Sequence, residues 1–104
     1  MLTIFLPAAC TARDISVSQA QTSSSGIPGY TVQIVNTCVS GCPPSNIHVH
    51  CGDFTSARLV NPITFKRLST DDCLVNGGRP LSTIRFDYYS TFMFPISFKS
   101  ATFC

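Results

Sequence analysis

The sequence predicts an all-β domain, an antiparallel β-sandwich of about five to seven short strands stapled by three disulfides. Two observations carry this prediction. Seven Pro and six Gly divide the 104 residues into short segments in which apolar and polar residues alternate, and a period of two is typical of strands with one buried face. The six cysteines form an even set, typical of small exported domains whose disulfides supplement a modest core.

Length and net charge limit the number of domains and the kinds of partner that the sequence predicts. A mass of 11.3 kDa fits one domain, which we place at residues 10–104. Residues 1–9 are apolar and end in small residues, so we interpret them as the remnant of a signal peptide or an unstructured amino terminus. Because the net charge is only +2, nothing points to nucleic acid, and no apolar run is long enough for membrane insertion.

The first strands are predicted in the amino-terminal half. Ile15 and Val17 alternate with serines, and residues 19–26 follow as a polar stretch that we expect to be a mobile loop. A second strand places Tyr30, Val32 and Ile34 on one face. Prolines and glycines after Cys38 then predict a turn.

The carboxyl-terminal half continues the pattern. Ile47, Val49 and Cys51 share one face of a strand and His48 and His50 the other. The segment 65–68 fits either a strand or one helical turn, and the Asn-Gly-Gly sequence at 76–78 indicates a turn with positive φ. Residues 84–89 alternate most regularly. A change of phase after Phe98 predicts a β-bulge near Lys99 or Ser100.

Spacing alone cannot select among the 15 possible pairings of six cysteines. The first and last, Cys10 and Cys104, nearly bracket the chain. We therefore favour a bridge between them, which would close a loop of roughly 95 residues and contribute about 4 to 5 kcal/mol in the chain-entropy model. The cysteines assigned to disulfides are Cys10, Cys38, Cys42, Cys51, Cys73 and Cys104.

A metal site and an enzyme active site are both weighed and set aside. Cys38, Cys42, His48, His50 and Cys51 have ligand-like spacing, but Cys51 points away from the histidines in a strand, and export favours disulfides over zinc thiolates. Asp71 and Asp72 are adjacent, so in an extended chain they face opposite ways and cannot act as a pair. We predict no metal, no cofactor and no enzyme activity.

Five segments resemble the plant tapetum determinant family. They are GIPGYTVQIVNTCVSGC at 26–42, IHVHCG at 47–52, ARLVNP at 57–62, FKRL at 65–68, and DDCLVN at 71–76. The similarity extends from about Ile15 to Cys104, and all six cysteines occur in order, with Cys10 just before this stretch. The family usually has Trp after the Cys-Gly pair, where this chain has Asp53.

The resemblance implies an extracellular, secreted ligand for the ectodomain of a leucine-rich-repeat receptor kinase, acting in cell-fate specification of the anther. From expected exposure and charge, the candidate receptor contacts are Asp53, Phe54, Arg58, Lys66 and Arg67. The competing interpretation is a carbohydrate-binding module of the cell wall. That module would use exposed rings among Tyr88, Tyr89 and Phe92.

Overall fold

A computed structural model describes residues 10–39 and 42–103. Within them the chain is all-β, with seven strands: β1 Ile15–Ser23, β2 Gly29–Asn36, β3 Ser45–His50, β4 Phe65–Ser69, β5 Asp72–Val75, β6 Thr83–Tyr89 and β7 Ser97–Thr102. Two short 3₁₀ turns lie at Ala12–Asp14 and Asn76–Gly78. None of the described residues forms a helix with the length and apolar character of a membrane span. The predicted leader at 1–9 lies outside the described residues.

Strands β1, β2 and β6 form one antiparallel sheet with β2 in the centre. Its β2–β6 register is continuous from Gly29 opposite Tyr89 to Val35 opposite Thr83. The expectation of a mobile loop at 19–26 is wrong for its first part, because β1 continues to Ser23. Hydrogen bonding to β2 makes this polar segment a strand. Gln19 also anchors it, since its side-chain amide donates to the carbonyl of Phe94 at 2.7 Å.

The second antiparallel sheet has the order β4-β5-β3-β7. The segment 65–68, which fitted either a strand or one helical turn, lies in strand β4, and β4 pairs with β5. The predicted bulge is confirmed: Val49 pairs with Phe98 and His48 with Ser100, so Lys99 is the extra residue. That extra residue explains why Phe98 and Ala101, in opposite phases of the sequence, both pack against the core.

Both sheets contribute to one apolar core. The predicted alternation is confirmed on β2 and β3, where Val32, Ile34, Ile47 and Val49 are fully buried. Phe65 of β4 stacks on Phe86 of β6 with 4.4 Å between ring centres, so the sheets touch through aromatic side chains. The all-β class and antiparallel pairing are thus confirmed, whereas the sandwich stays a prediction.

The turn predicted from Asn-Gly-Gly is confirmed as well. Asn76, Gly77 and Gly78 all have positive φ, of 56°, 64° and 80°. Such angles are rare for residues with a Cβ, which explains the two glycines. The turn joins β5 to the segment leading into β6 and so carries the chain from one sheet to the other.

Two disulfides lie wholly within the described residues. Cys10 bonds Cys38, with 5.6 Å between their Cα atoms, so the favoured Cys10 to Cys104 bridge is wrong. The reason is the pairing of β1 with β2, which sets Ile15 opposite Asn36 and brings the two flanking cysteines together. Cys51 bonds Cys73 inside the core. Cys42 is also disulfide-bonded, and Cys104 lies outside the described residues, so three bridges stay a prediction.

Candidate functional site

A shallow surface depression lies beside β4. It has a volume of about 260 Å³, and its lining includes Phe54, Arg58, Leu59, Val60, Lys66 and Arg67. We call it the β4 groove. It brings together four of the five residues predicted as receptor contacts, although Phe54 and Arg67 are far apart in the sequence.

Local structure explains why β4 presents charge to this groove. Strand β4 is an edge strand, paired only with β5, and Phe65 alone of its residues is buried. Asn61 starts the strand by accepting hydrogen bonds at its backbone carbonyl from the amides of Thr64 and Phe65 at 2.9 and 3.0 Å. Lys66 and Arg67 therefore remain in solvent, as exposed charges that also protect a sheet edge from unwanted pairing.

The charges of the β4 groove are mostly basic. Arg58, Lys66 and Arg67 line the groove, and the Oδ1 of the neighbouring Asp53 accepts from Arg67 Nη2 at 3.4 Å. Asp53 is 80% exposed, so this pair is a weak surface contact. Asp53 does not line the groove but lies next to it through Arg67. Beside these charges Leu59 is 94% exposed, giving the groove an apolar element that could enter a partner.

Arg58 separates the β4 groove from a second depression. Its guanidinium carbon lies 4.4 Å from the centre of the Tyr89 ring, a cation–π contact that orders an otherwise free side chain. The second depression, of about 400 Å³, is lined by Ser25, Gly26, Ile27, Arg58 and Tyr89 among others. The two depressions share Arg58 and are therefore neighbours on the surface.

Phe54 is placed differently from the expectation. Its exposure was wrongly predicted, because the side chain is only 8% exposed. The ring packs edge-on against Phe65 and Tyr88, with centres 4.9 and 5.1 Å away. It forms the floor of the β4 groove, and its role as a receptor contact stays a prediction.

The three rings considered for sugar binding, those of Tyr88, Tyr89 and Phe92, differ in their exposure to solvent. Tyr88 is fully buried, so it cannot serve as an exposed platform. Its hydroxyl donates to Gln19 Oε1 at 2.6 Å and accepts from the amide of Phe94 at 3.0 Å, and burial raises its pKa. Tyr89 is half-buried, with Arg58 over its ring. Phe92 alone of the three is clearly exposed, at 56%.

The structure shows a second polar cluster that sequence reasoning missed. His48 Nδ1 lies 2.8 Å from Asp72 Oδ1, and His50 Nδ1 lies 2.7 Å from Asp71 Oδ2. We call these four residues the histidine–aspartate ladder. The assumption of an extended chain at the two aspartates is wrong, because Asp71 has φ of 59°. That they do not act as an acid–base pair stays a prediction.

Asp71 also ties two turns together. Its Oδ1 accepts from the backbone amides of Cys51 and Gly52 at 3.1 and 2.9 Å. The bond from Gly52, followed by that from His50, holds the pKa of this carboxyl below its usual value. The hydrogen bond from His48 similarly lowers the pKa of Asp72. The clue in the sequence was the presence of two aspartates and two strand histidines flanking cysteines that pair.

The zinc site considered from spacing is not assembled by the structure. Cys38 and Cys51 are both in disulfides, so neither offers a thiolate. A group of Cys10, Asp14 and Cys38 lies close together among the described residues, but its two sulfur atoms are bonded to each other.

Comparison with known proteins gives a consistent set of relatives. The family model described as "Tapetum determinant 1, C-terminal" matches residues 11–104. TPD1 protein homolog 1 of Arabidopsis thaliana is 48% identical over 98 residues, covering 89% of this chain and 55% of the relative. TPD1 protein homolog 1A of Oryza sativa subsp. japonica is 42% identical, with coverages of 88% and 45%. For homolog 1B of the same species the identity is 38%, with coverages of 88% and 56%.

The chain thus spans about half the length of these curated relatives. No solved structure matches it.

Proposed function

Because the chain belongs to the tapetum determinant family, we propose that it is a secreted signalling protein and a ligand for the ectodomain of a leucine-rich-repeat receptor kinase. The process would be cell-fate specification in the anther. We further propose that the domain is a β-sandwich held by three disulfides, with no catalytic role.

The observation that carries the proposal is the β4 groove. Residues chosen from charge as receptor contacts, Arg58, Lys66 and Arg67, converge on one surface with an exposed Leu59. An apolar side chain with polar groups beside it is typical of protein interfaces, where a central anchor is enclosed by a polar rim. A receptor surface with acidic side chains around an apolar pocket would complement it.

The rigid placement of this groove supports the proposal. Its floor is the buried Phe54, and one of its walls is an edge strand paired to β5. Arg58 is held over Tyr89, so part of the cost of ordering this long side chain is already met before a partner binds. Recognition by a preformed surface requires little rearrangement.

The test is a binding titration of the oxidised protein against purified candidate receptor ectodomains. Arg58→Glu and Arg67→Glu reverse charge in the groove, and loss of a hot spot worth about 2 kcal/mol lowers affinity about 30-fold. Arg85→Glu is the matched control, because Arg85 lies on the outward face of β6 and lines a different depression. Equal binding by wild type and both groove variants would refute the proposed surface.

A second candidate, a carbohydrate-binding module, is favoured by one observation, the exposed ring of Phe92. Retention on cellulose or xylan that is lost in Phe92→Ala or Tyr89→Ala would support it. The absence of retention on either polysaccharide, together with receptor binding, would leave the signalling function alone.

A further inference from the structure

We propose that His48 and His50 together bind one divalent transition-metal ion, of the class of Zn²⁺ and Cu²⁺, through their Nε2 atoms. This site is separate from the β4 groove and does not depend on the proposed receptor function.

The two histidines occupy alternate positions of β3. Ile47 and Val49 point into the core, so His48 and His50 both lie on the opposite, outward face. Two residues along a strand are separated by about 6.6 Å, a distance that two imidazole rings can span when both turn toward one ion. Their side chains are 28% and 44% exposed, which leaves the site open to solvent ions.

Hydrogen bonds fix how each ring is presented. Aspartate side chains are carboxylates near neutral pH. The carboxylates of Asp72 and Asp71 lie 2.8 and 2.7 Å from the Nδ1 atoms of His48 and His50, and a carboxylate only accepts hydrogen bonds. Each histidine must therefore donate from Nδ1, which leaves the lone pair of a neutral imidazole on Nε2. A histidine that ligates a metal through one nitrogen and donates to a carboxylate through the other is the usual arrangement in protein metal sites.

The Nε2 atoms are available for a ligand. Among the described residues, 10–39 and 42–103, neither Nε2 forms a hydrogen bond, because the ring contacts found use Nδ1. Two carboxylates behind the rings favour a cation, although Lys99 lies 3.7 Å from Asp72 and partly offsets them. Imidazole suits Zn²⁺ and Cu²⁺ rather than Mg²⁺ or Ca²⁺. Water would complete the coordination, as in open zinc sites.

The experiment is a titration of the oxidised full chain with ZnCl₂ and, separately, CuCl₂, followed by calorimetry and by ¹⁵N NMR of the imidazole rings. The sequence has only two histidines, so ring signals report this site alone. We expect saturation at one ion per chain, a shift of both Nε2 signals with Zn²⁺, broadening of the same signals with paramagnetic Cu²⁺, and affinity higher for Cu²⁺ than for Zn²⁺. Failure to saturate, or Nε2 signals that Zn²⁺ does not shift, overturns the proposal.

Variants separate a built site from weak binding to any exposed histidine. His48→Gln and His50→Gln should each lower affinity at least tenfold, because one ring cannot chelate. Asp72→Asn keeps both rings but removes the carboxylate that holds the His48 ring. It should lower affinity 10- to 100-fold. The matched control Asp53→Asn removes an exposed carboxylate elsewhere and should bind as wild type. If Asp72→Asn and Asp53→Asn bind alike, the ladder does not orient a metal site.

Discussion

Both sheets are antiparallel, but they differ in regularity and in the side chains on their outward faces. The sheet β1-β2-β6 has a continuous β2–β6 register and an outward face of polar and charged side chains such as Thr31, Gln33 and Arg85. The sheet β4-β5-β3-β7 is built of shorter strands, is interrupted at several points including Lys99, and carries the histidine–aspartate ladder and the basic edge strand β4.

This difference indicates that one sheet serves mainly as a scaffold and that the other carries the polar clusters. In a regular strand, successive side chains point to opposite faces of the sheet, so position along the strand alone sets which face a side chain takes. Bulges and turns with positive φ change the direction of single side chains, and they are what set Asp71 beside His50. Irregular backbone in the four-stranded sheet therefore creates the histidine–aspartate ladder, while the three-stranded sheet supplies much of the buried surface.

Removing one disulfide from each sheet compares their dependence on cross-links. The loops closed by Cys10–Cys38 and Cys51–Cys73 span 28 and 22 residues, for which the chain-entropy model gives about 3 to 4 kcal/mol each. The pair Cys51→Ala and Cys73→Ala should cost more than Cys10→Ala with Cys38→Ala, because both of its sulfur atoms are fully buried. Urea unfolding measures both; a smaller loss for the buried pair would contradict the prediction.

Tyr88→Phe tests how the three-stranded sheet holds the segment before β7. The change removes a buried hydroxyl that joins Gln19 to the amide of Phe94, leaving that amide without its acceptor. We expect a loss of about 1 to 3 kcal/mol in the free energy of unfolding. Tyr30→Phe is the matched control. Its ring stacks on Tyr88 at 5.2 Å, and no hydrogen bond of its hydroxyl to the described residues is found, so its effect should be much smaller.

Acid should weaken the four-stranded sheet through the ladder. Both aspartates have folded-state pKa values below the ordinary 3.8, so they stabilise the fold above that value, and the contribution disappears as pH falls through the folded values. Asp71→Asn combined with Asp72→Asn should flatten the decline of the urea midpoint below about pH 4. Thr70→Ala changes the same turn without removing a carboxylate and should keep the wild-type slope. An unchanged slope in the double variant would exclude the ladder as its cause.

The smallest effect on stability is expected in the β4 groove. Arg67→Ala breaks an exposed pair with Asp53 at 3.4 Å, and such pairs contribute about 0 to 1 kcal/mol. Thermal unfolding should therefore change little, even where receptor binding is lost. A large loss of stability would mean that the groove belongs to the scaffold, and the separation of roles between the two sheets would fail.

Local alternation was sufficient to predict much of the fold. The buried faces of β2 and β3 and the bulge at Lys99 follow from the phase of apolar residues, because a side chain's face is set by its position along the strand. Strand β1 was cut short because its outer half has no apolar residue except Ala20, and only pairing with β2 makes it a strand. Burial of Phe54 was missed since a loop carries no period from which to infer a face.

The candidate sites were predicted only in part. Basic residues of β4 and the preceding loop could be selected by charge, yet their convergence on one groove depends on how the loop returns to the sheet. The ladder was missed because it joins residues more than twenty positions apart, His50 and Asp71 being separated by 21. Such contacts depend on strand order, which alternation does not encode.

The sequence by itself determined the all-β class, the faces of its clearest strands, the family, and the number of cysteines available for cross-linking, because these depend on neighbouring residues or on motifs read in order. The tertiary structure alone decided that Cys10 meets Cys38, that Tyr88 is buried with its hydroxyl bonded, and that two histidines each meet an aspartate. The physical reason is that pairing between distant strands selects which residues become neighbours, and that choice is made by the packing of the whole chain.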